Sequence, residues 1–339
     1  MPASPSKACN VRWYRTPLTP DVMQDLHARS DRLGLLQTLA YLGILVATGT
    51  AAYLAPGRLP WPAVVALVFL HGTVFAFQIN AVHELGHRTV FRSNGLNDFF
   101  VRIFAFLGWI HYDLFYTSHA RHHRYTLHPP DDLEVVLPLH FLLKDLFKHG
   151  IVNIKGPYHY LRDAIRIARG RFRGEWELAL FPESEPEKRW PIMRWARLML
   201  AGHVLLVGVS IAFGWWMLPV VVTLAPFYGG WLHLLCNSTQ HIGLRDNVPD
   251  FRLCCRTIKL NPLLSVLYWH MQYHIEHHMY PAVPCYRLGA LRRAIDHDLP
   301  PRPNGLVAAW REILAIQRRQ RVEPGFQYQA PLPTPGASS

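Results

Sequence analysis

Two adjoining stretches near the start of the chain, residues 33–55 and 59–81, carry no charge over 23 residues each and are separated only by Pro56, Gly57 and Arg58. A helix of about 20 apolar residues crosses a bilayer, so this pattern predicts a membrane hairpin of two helices rich in Gly and Ala. A third uncharged run covers residues 198–241, 44 positions with Gly214 and Pro219 near the middle, and predicts a second hairpin with spans at 198–217 and 219–240. Between the hairpins the chain is polar and basic, except that residues 99–115 mix apolar side chains with Arg102 and Asp113 and read as interfacial. The first apolar run starts at residue 33, is too long for the core of a secretory leader and is followed at once by another, which argues against a signal peptide. The expected architecture is all-α and integral to the membrane: a segment 1–32, a domain 33–295 with four spans and a cytoplasmic helical cap, and a tail 296–339 that is mobile from Pro324 onwards.

Charge gives that architecture an orientation. Lys and Arg number 5 in residues 1–32, 17 in 82–197 and 12 after 241, whereas the turns at 56–58 and 214–219 hold one and none. The positive-inside rule puts both termini and the middle segment in the cytoplasm. The net charge of +12 is therefore mostly a topology signal, with some attraction to anionic headgroups. Nucleic acid is not an expected partner, because no basic face with exposed aromatics and no recognisable module is present. A hydrophobic content of 50% excludes disorder, and a mean hydropathy of +0.05 averages uncharged spans with a basic cap. The bias towards Ala, Arg, Leu and Pro fits a GC-rich bacterial gene and hence an inner membrane.

Twenty histidines are the compositional anomaly. Five cysteines, Cys9, Cys236, Cys254, Cys255 and Cys285, offer neither a disulfide framework nor a thiolate zinc site. The histidines cluster instead: His83 and His87 in HELGH, His119, His122 and His123 in HARHH, His241 after Asn237-Ser-Thr-Gln, and His274, His277 and His278 in HIEHH. Positions i, i+3 and i+4 share a helical face, so each cluster presents its rings to a common point, and in the four-span topology all lie on one side of the membrane. One zinc takes four ligands. Nine neutral imidazoles suit two metals of coordination number about five or six with positions left open, and iron is the metal such sites use for oxygen chemistry. Taken singly, His27, His71, His140, His149, His159, His203 and His297 read as surface or internally satisfied residues, and His128, His233 and His270 are left outside the ligand set. HELGH also matches the H-E-x-x-H motif of zinc hydrolases, including intramembrane metalloproteases. That reading uses two histidines on one zinc and leaves seven without a role.

These residues resemble the membrane fatty acid desaturase and hydroxylase superfamily, whose histidine boxes are H-x(3,4)-H, H-x(2,3)-H-H and H/Q-x(2,3)-H-H. The likeness covers residues 30–295, and HIEHH continues as HHMYPAVPCYRL, similar to the H-H-x-x-P-x-x-P run of that superfamily. The segment from Asn237 to His241 is similar to the N-S-x-x-H segment of acyl-CoA desaturases, which implies a metal ligand at His241 and an Asn237 acting through water. The first box has three intervening residues and the third begins with His274. Acyl-lipid, sphingolipid-type, alkane-hydroxylase and carotenoid-ketolase members are therefore nearer than delta-9 acyl-CoA or front-end desaturases. The resemblance implies a non-haem di-iron oxidoreductase with O2 as co-substrate, acting on a fatty-acyl or lipid-like chain by desaturation or, alternatively, hydroxylation. Glu84, Glu276, Asp131 and Asp132 are candidates to accept an N–H from a ligand ring. Neither an H-P-G-G haem motif nor the paired C-x-x-C of rubredoxin is fused to the chain, so a separate ferredoxin, rubredoxin or cytochrome b5 type carrier with its reductase would supply electrons.

Overall fold

The computed structural model describes residues 10–139, 141 and 143–333; Cys9, His140 and residues 334–339 lie outside them. Every regular element among the described residues is helical. Helix α1 (Asp31–Leu54) begins where the Ser30 hydroxyl accepts the Leu33 N–H and Asp31 places negative charge at the positive end of the helix dipole. Its 24 residues rise about 36 Å, enough for the hydrocarbon core. Helix α2 (Trp61–Phe75) follows a turn in which Gly57 takes a φ of 75°, and after a break at Ala76 and Phe77 it continues as α3 (Gln78–Gly86). His71 on α2 is satisfied inside the hairpin, by Thr48 Oγ1 at 3.0 Å and the Val221 carbonyl at 2.8 Å, as expected for a lone histidine. The interfacial stretch 99–115 divides between α4 (Asn94–Leu107) and α5 (Tyr112–Tyr125), with Val101 and Phe104 of α4 in the main core.

The second hairpin is not formed as the uncharged run predicts. Among the described residues three helices are long and apolar enough to cross a membrane: α1, the α2–α3 stretch Trp61–Gly86, and α6 (Pro186–Ala212). Helix α6 takes in Lys188, Arg189, Arg194 and Arg197 ahead of the apolar part. Beyond it the chain breaks into α7 (Met217–Val221), a short turn at Ala225–Phe227 and α8 (Trp231–Asn237). Gly214, with a φ of 72°, ends α6, and Pro226 and Gly229 account for the later breaks. Gly229 has a φ of 72°, and a Cβ there would meet the Phe69 carbonyl oxygen and the Thr73 nitrogen at 2.6 Å; one at Gly72 would stand 2.4 Å from the Tyr228 carbonyl. An extended segment thus lies directly on the backbone of α2. Absence of charge reports an apolar setting and says nothing of helical continuity.

A Gly229→Ala substitution combines a left-handed backbone with a backbone clash and is expected to cost about 2–4 kcal/mol, the sum of both effects. Gly214→Ala shares the positive φ but meets nothing within 4 Å, and should cost about 1–2 kcal/mol. Thermal unfolding in detergent ranks the two, and equal shifts would refute the close approach.

The flanking segments join the body. Trp13 stacks on Phe251, with centroids 4.0 Å apart, and donates to the Arg124 carbonyl at 2.9 Å. Residues expected to form a tail include α10 (Leu306–Val322), whose Ala309, Ile313 and Ile316 are buried; α9 (His274–Met279) lies earlier in the chain. Beyond Pro324, Gln327 still donates to Asp246 at 2.9 Å and Ala330 is buried.

Candidate metal centre

Four short pieces of chain bring the clustered histidines together. The last turn of α3 carries His83, and His87 caps that helix; α5 carries His119, His122 and His123; a turn after α8 carries His241; α9 carries His274, His277 and His278. The rings sort into two adjoining groups. His83, His87, His119, His123 and His277 each offer a ring nitrogen, all within 4.8 Å of one another, and His241, His274 and His278 do the same together with Cys255 Sγ. His122 joins the second group, its ring centroid 5.3 Å from His241 and 5.0 Å from His278. Helices α5 and α9 each feed both groups, and the His123 ring lies 4.3 Å from that of His278 across the boundary.

Hydrogen bonds fix which nitrogen carries the proton in five of the nine rings. Nδ1 of His83 meets Glu84 Oε1 at 2.8 Å, that of His119 meets Glu134 Oε1 at 2.8 Å, and that of His122 meets Asp132 Oδ2 at 2.8 Å. Nδ1 of His241 meets the Cys254 carbonyl at 2.8 Å. Carboxylates and carbonyls only accept, so these four rings donate from Nδ1 and keep the lone pair on Nε2. The Thr126 hydroxyl donates to the His122 carbonyl, which leaves it to accept from His278 Nδ1 at 3.1 Å.

Four of these five Nε2 atoms lie among other ring nitrogens, and two of them have no hydrogen-bond partner at all. Nε2 of His83 and of His278 is buried without a hydrogen-bond partner, His119 Nε2 faces His123 Nε2 at 2.8 Å, and His241 Nε2 faces His274 Nε2 at 2.9 Å. Buried polar atoms are ordinarily paired, so the orphaned Nε2 atoms of His83 and His278, beside ring nitrogens packed against one another, are what a cation would relieve. Burial pushes His87 and His241 down to about 3 and holds His123, His274, His277 and His278 well below the usual imidazole range. Those rings are neutral at physiological pH, the form that binds metal. At His122 burial opposes the charge, but the Asp132 hydrogen bond and charge outweigh it and raise the ring. The donor set fits two transition-metal ions, one per group.

The partners anticipated from sequence are partly redistributed. Glu84 and Asp132 each accept from a clustered ring. Glu276 does not: its carboxylate accepts from Thr257 Oγ1 and from Arg292 at 3.3 Å, because on α9 it points away from the face shared by His274, His277 and His278. Asp131 pairs with Arg121 Nη2 at 3.4 Å. Asn237, the last residue of α8, is exposed, and none of its side-chain atoms bonds a clustered ring. Glu84, the residue a zinc hydrolase would use on water, is fully buried against His83.

Glu134 was not anticipated. It also accepts from Ser118 Oγ at 2.5 Å, and Ser118 in turn takes the Trp176 indole N–H at 2.9 Å. The available signal was the spacing Asp132-Leu133-Glu134, which in an extended stretch puts both acids on one side. Glu134→Gln is expected to weaken metal at the first group about 10–100-fold while sparing the second, as read by titration against a competing chelator; equal weakening at both would refute the assignment.

A family model described as fatty acid desaturase matches residues 59–309, which includes all nine clustered histidines. No curated protein matches the chain.

Proposed function

The chain belongs to the fatty acid desaturase family, and from that membership we propose that it is a membrane-bound non-haem di-iron oxidoreductase that uses O2 to desaturate a fatty-acyl or lipid-like chain. The observation that carries this reading is the division of nine imidazoles into adjoining groups of five and four, with the buried Nε2 atoms of His83 and His278 left without a hydrogen-bond partner. Two irons held there would supply an oxidant strong enough for an unactivated C–H bond, which no side chain provides.

The protein's own share is geometry and dryness. Glu84, Glu134, Asp132 and the Cys254 carbonyl keep the Nδ1 protons outward and the Nε2 lone pairs inward. Phe115 stacks on His119 with centroids 5.5 Å apart, and Phe251 lies 5.5 Å from His278, so apolar faces shield both groups from water. A cleft of about 390 Å³ between the spans, lined by Leu42, Leu45, Phe75, Leu107 and Val221, suits an alkyl chain. The basic segments around the centre support a cytoplasmic placement, where a ferredoxin, rubredoxin or cytochrome b5 type carrier would deliver electrons.

Expression in a host of known lipid composition, with mass spectrometry of the extracted lipids, tests the reaction. New double bonds are expected. New hydroxyls would move the chain to the hydroxylase branch, and an unchanged profile with carrier and reductase supplied would overturn the lipid substrate. Metal analysis should give about two irons per chain; a single zinc would favour the hydrolase reading of HELGH.

A further inference from the structure

Eight of the nine clustered histidines lie on α3, α5 or α9 or cap α3, so a helix sets their direction. His241 alone lies in a turn. What holds that turn comes from two later parts of the chain. Arg256, 4% exposed, donates from Nη1 to the carbonyls of Thr239 at 2.7 Å and Ile242 at 3.0 Å, on either side of His241. Its backbone N–H reaches the Gln240 carbonyl at 2.9 Å, and two residues before it the Cys254 carbonyl receives His241 Nδ1. One side chain and its neighbouring backbone therefore grip residues 239–242 throughout.

The guanidinium is itself held from outside. Its Nε donates at 2.9 Å to Glu312 on α10, the one carboxylate paired with it among the described residues. The same helix touches the region twice more: Trp310 donates to the Leu235 carbonyl of α8 at 3.1 Å, and Ile316 presses on Gly243, where a Cβ would come within 2.9 Å. Glu312 and Ile316 stand beyond residue 309, where the family match ends.

We propose that Arg256 and Glu312 are positioning residues for the second metal group, clamping the His241 turn to the C-terminal helix. The clamp rests on the two-metal reading above. It acts on one group only, because His83, His87, His119, His123 and His277 have no contact with Arg256 or Glu312. Without it the turn is free to swing the His241 lone pair off the site, while the helices keep the other rings in place.

The test uses the full-length chain in detergent, loaded with Fe(II) and dialysed against a fixed chelator, and compares wild type, E312Q and the double variant R256M/E312L. The double variant removes both charges, so no unpaired ion is left buried. Metal per chain is read beside thermal unfolding of the metal-free protein. Wild type should hold about two metals. E312Q, which keeps an oxygen for Arg256 Nε, should lose affinity less than about 10-fold, and R256M/E312L should keep about one metal with the second weakened about 10–100-fold, its metal-free unfolding lowered by the two carbonyls that lose their donor but still one cooperative transition. A double variant that keeps both metals, or loses both together, overturns the clamp while leaving the two-metal reading intact. A wild-type chain that binds no metal overturns both.

Discussion

His277→Ala should abolish turnover, by more than about 100-fold, while the protein still inserts and still binds one metal. His277 belongs to the first group, with its ring 4.7 Å from those of His83 and His123 and 4.9 Å from that of His87. Its loss leaves His122, His241, His274 and His278 untouched. His274→Ala is the mirror experiment: its Nε2 meets His241 Nε2 at 2.9 Å in the second group, and its loss should leave the five rings of the first. Each variant should carry about one iron, and neither should turn over, because the proposed chemistry needs both positions filled. The pair is read by metal analysis and product formation on the same membrane preparation. Activity retained in either variant would refute the ligand assignment, and loss of both metals from one variant would refute the division into two groups.

Asp132→Ala is expected to be the most destabilising change outside the rings. Asp132 is fully buried and accepts three hydrogen bonds, from His122 Nδ1 at 2.8 Å, from the Leu127 N–H at 2.8 Å and from the Glu134 N–H at 2.9 Å. Burial works to raise its carboxyl, but the His122 hydrogen bond and charge and the two backbone donors prevail and hold it below the usual range. Truncation strands a ring N–H and two backbone N–H groups in the interior, at about 3–5 kcal/mol, or about 4–7 °C in unfolding temperature for a chain of this size. It also frees the loop that carries Glu134, so metal should be lost from both groups, unlike the selective loss expected for Glu134→Gln. Asp132→Asn, which keeps Oδ1 as an acceptor, should fall between alanine and wild type. Unfolding within about two degrees of wild type for Asp132→Ala would show that the loop does not depend on this carboxylate.

How much of this was legible beforehand follows from the range over which each signal acts. Helical spacing is local, so HARHH and HIEHH announce rings on one face of a helix, and nine such rings raise the expectation of two metals. Assignment of rings to groups is not local: His122 and His123 are neighbours in sequence yet join different groups, because a helix turns about 100° per residue and α5 lies between the two. Acids were only partly readable, and Asp132, in the loop after HARHH, was among the candidates although no histidine adjoins it. Glu84 adjoins His83 and was found, whereas Glu134 reaches His119 through a loop, and Glu276, inside the third cluster, faces Arg292. The same limit applies to the spans. Hydropathy marked 198–241 as apolar, but the backbone contact of Gly229 with Phe69 and Thr73 that prevents a fourth long helix is a tertiary fact.

Closure of the centre by both ends of the chain bears on how the protein is made. The first ring is at residue 83 and the last at 278, but the N-terminal Trp13 packs on Phe251, and Glu312 reaches back to Arg256. On a ribosome the earlier clusters emerge as isolated imidazoles at the membrane surface, and the second group is complete only after α10 has been released. On the two-metal reading proposed above, the second group would therefore fill only after the chain is complete. Non-local assembly of this kind is slow. Overproduction that outpaces iron supply should accordingly yield inserted but metal-poor protein, and a bulky fusion after residue 322 would have to leave room for α10 to dock.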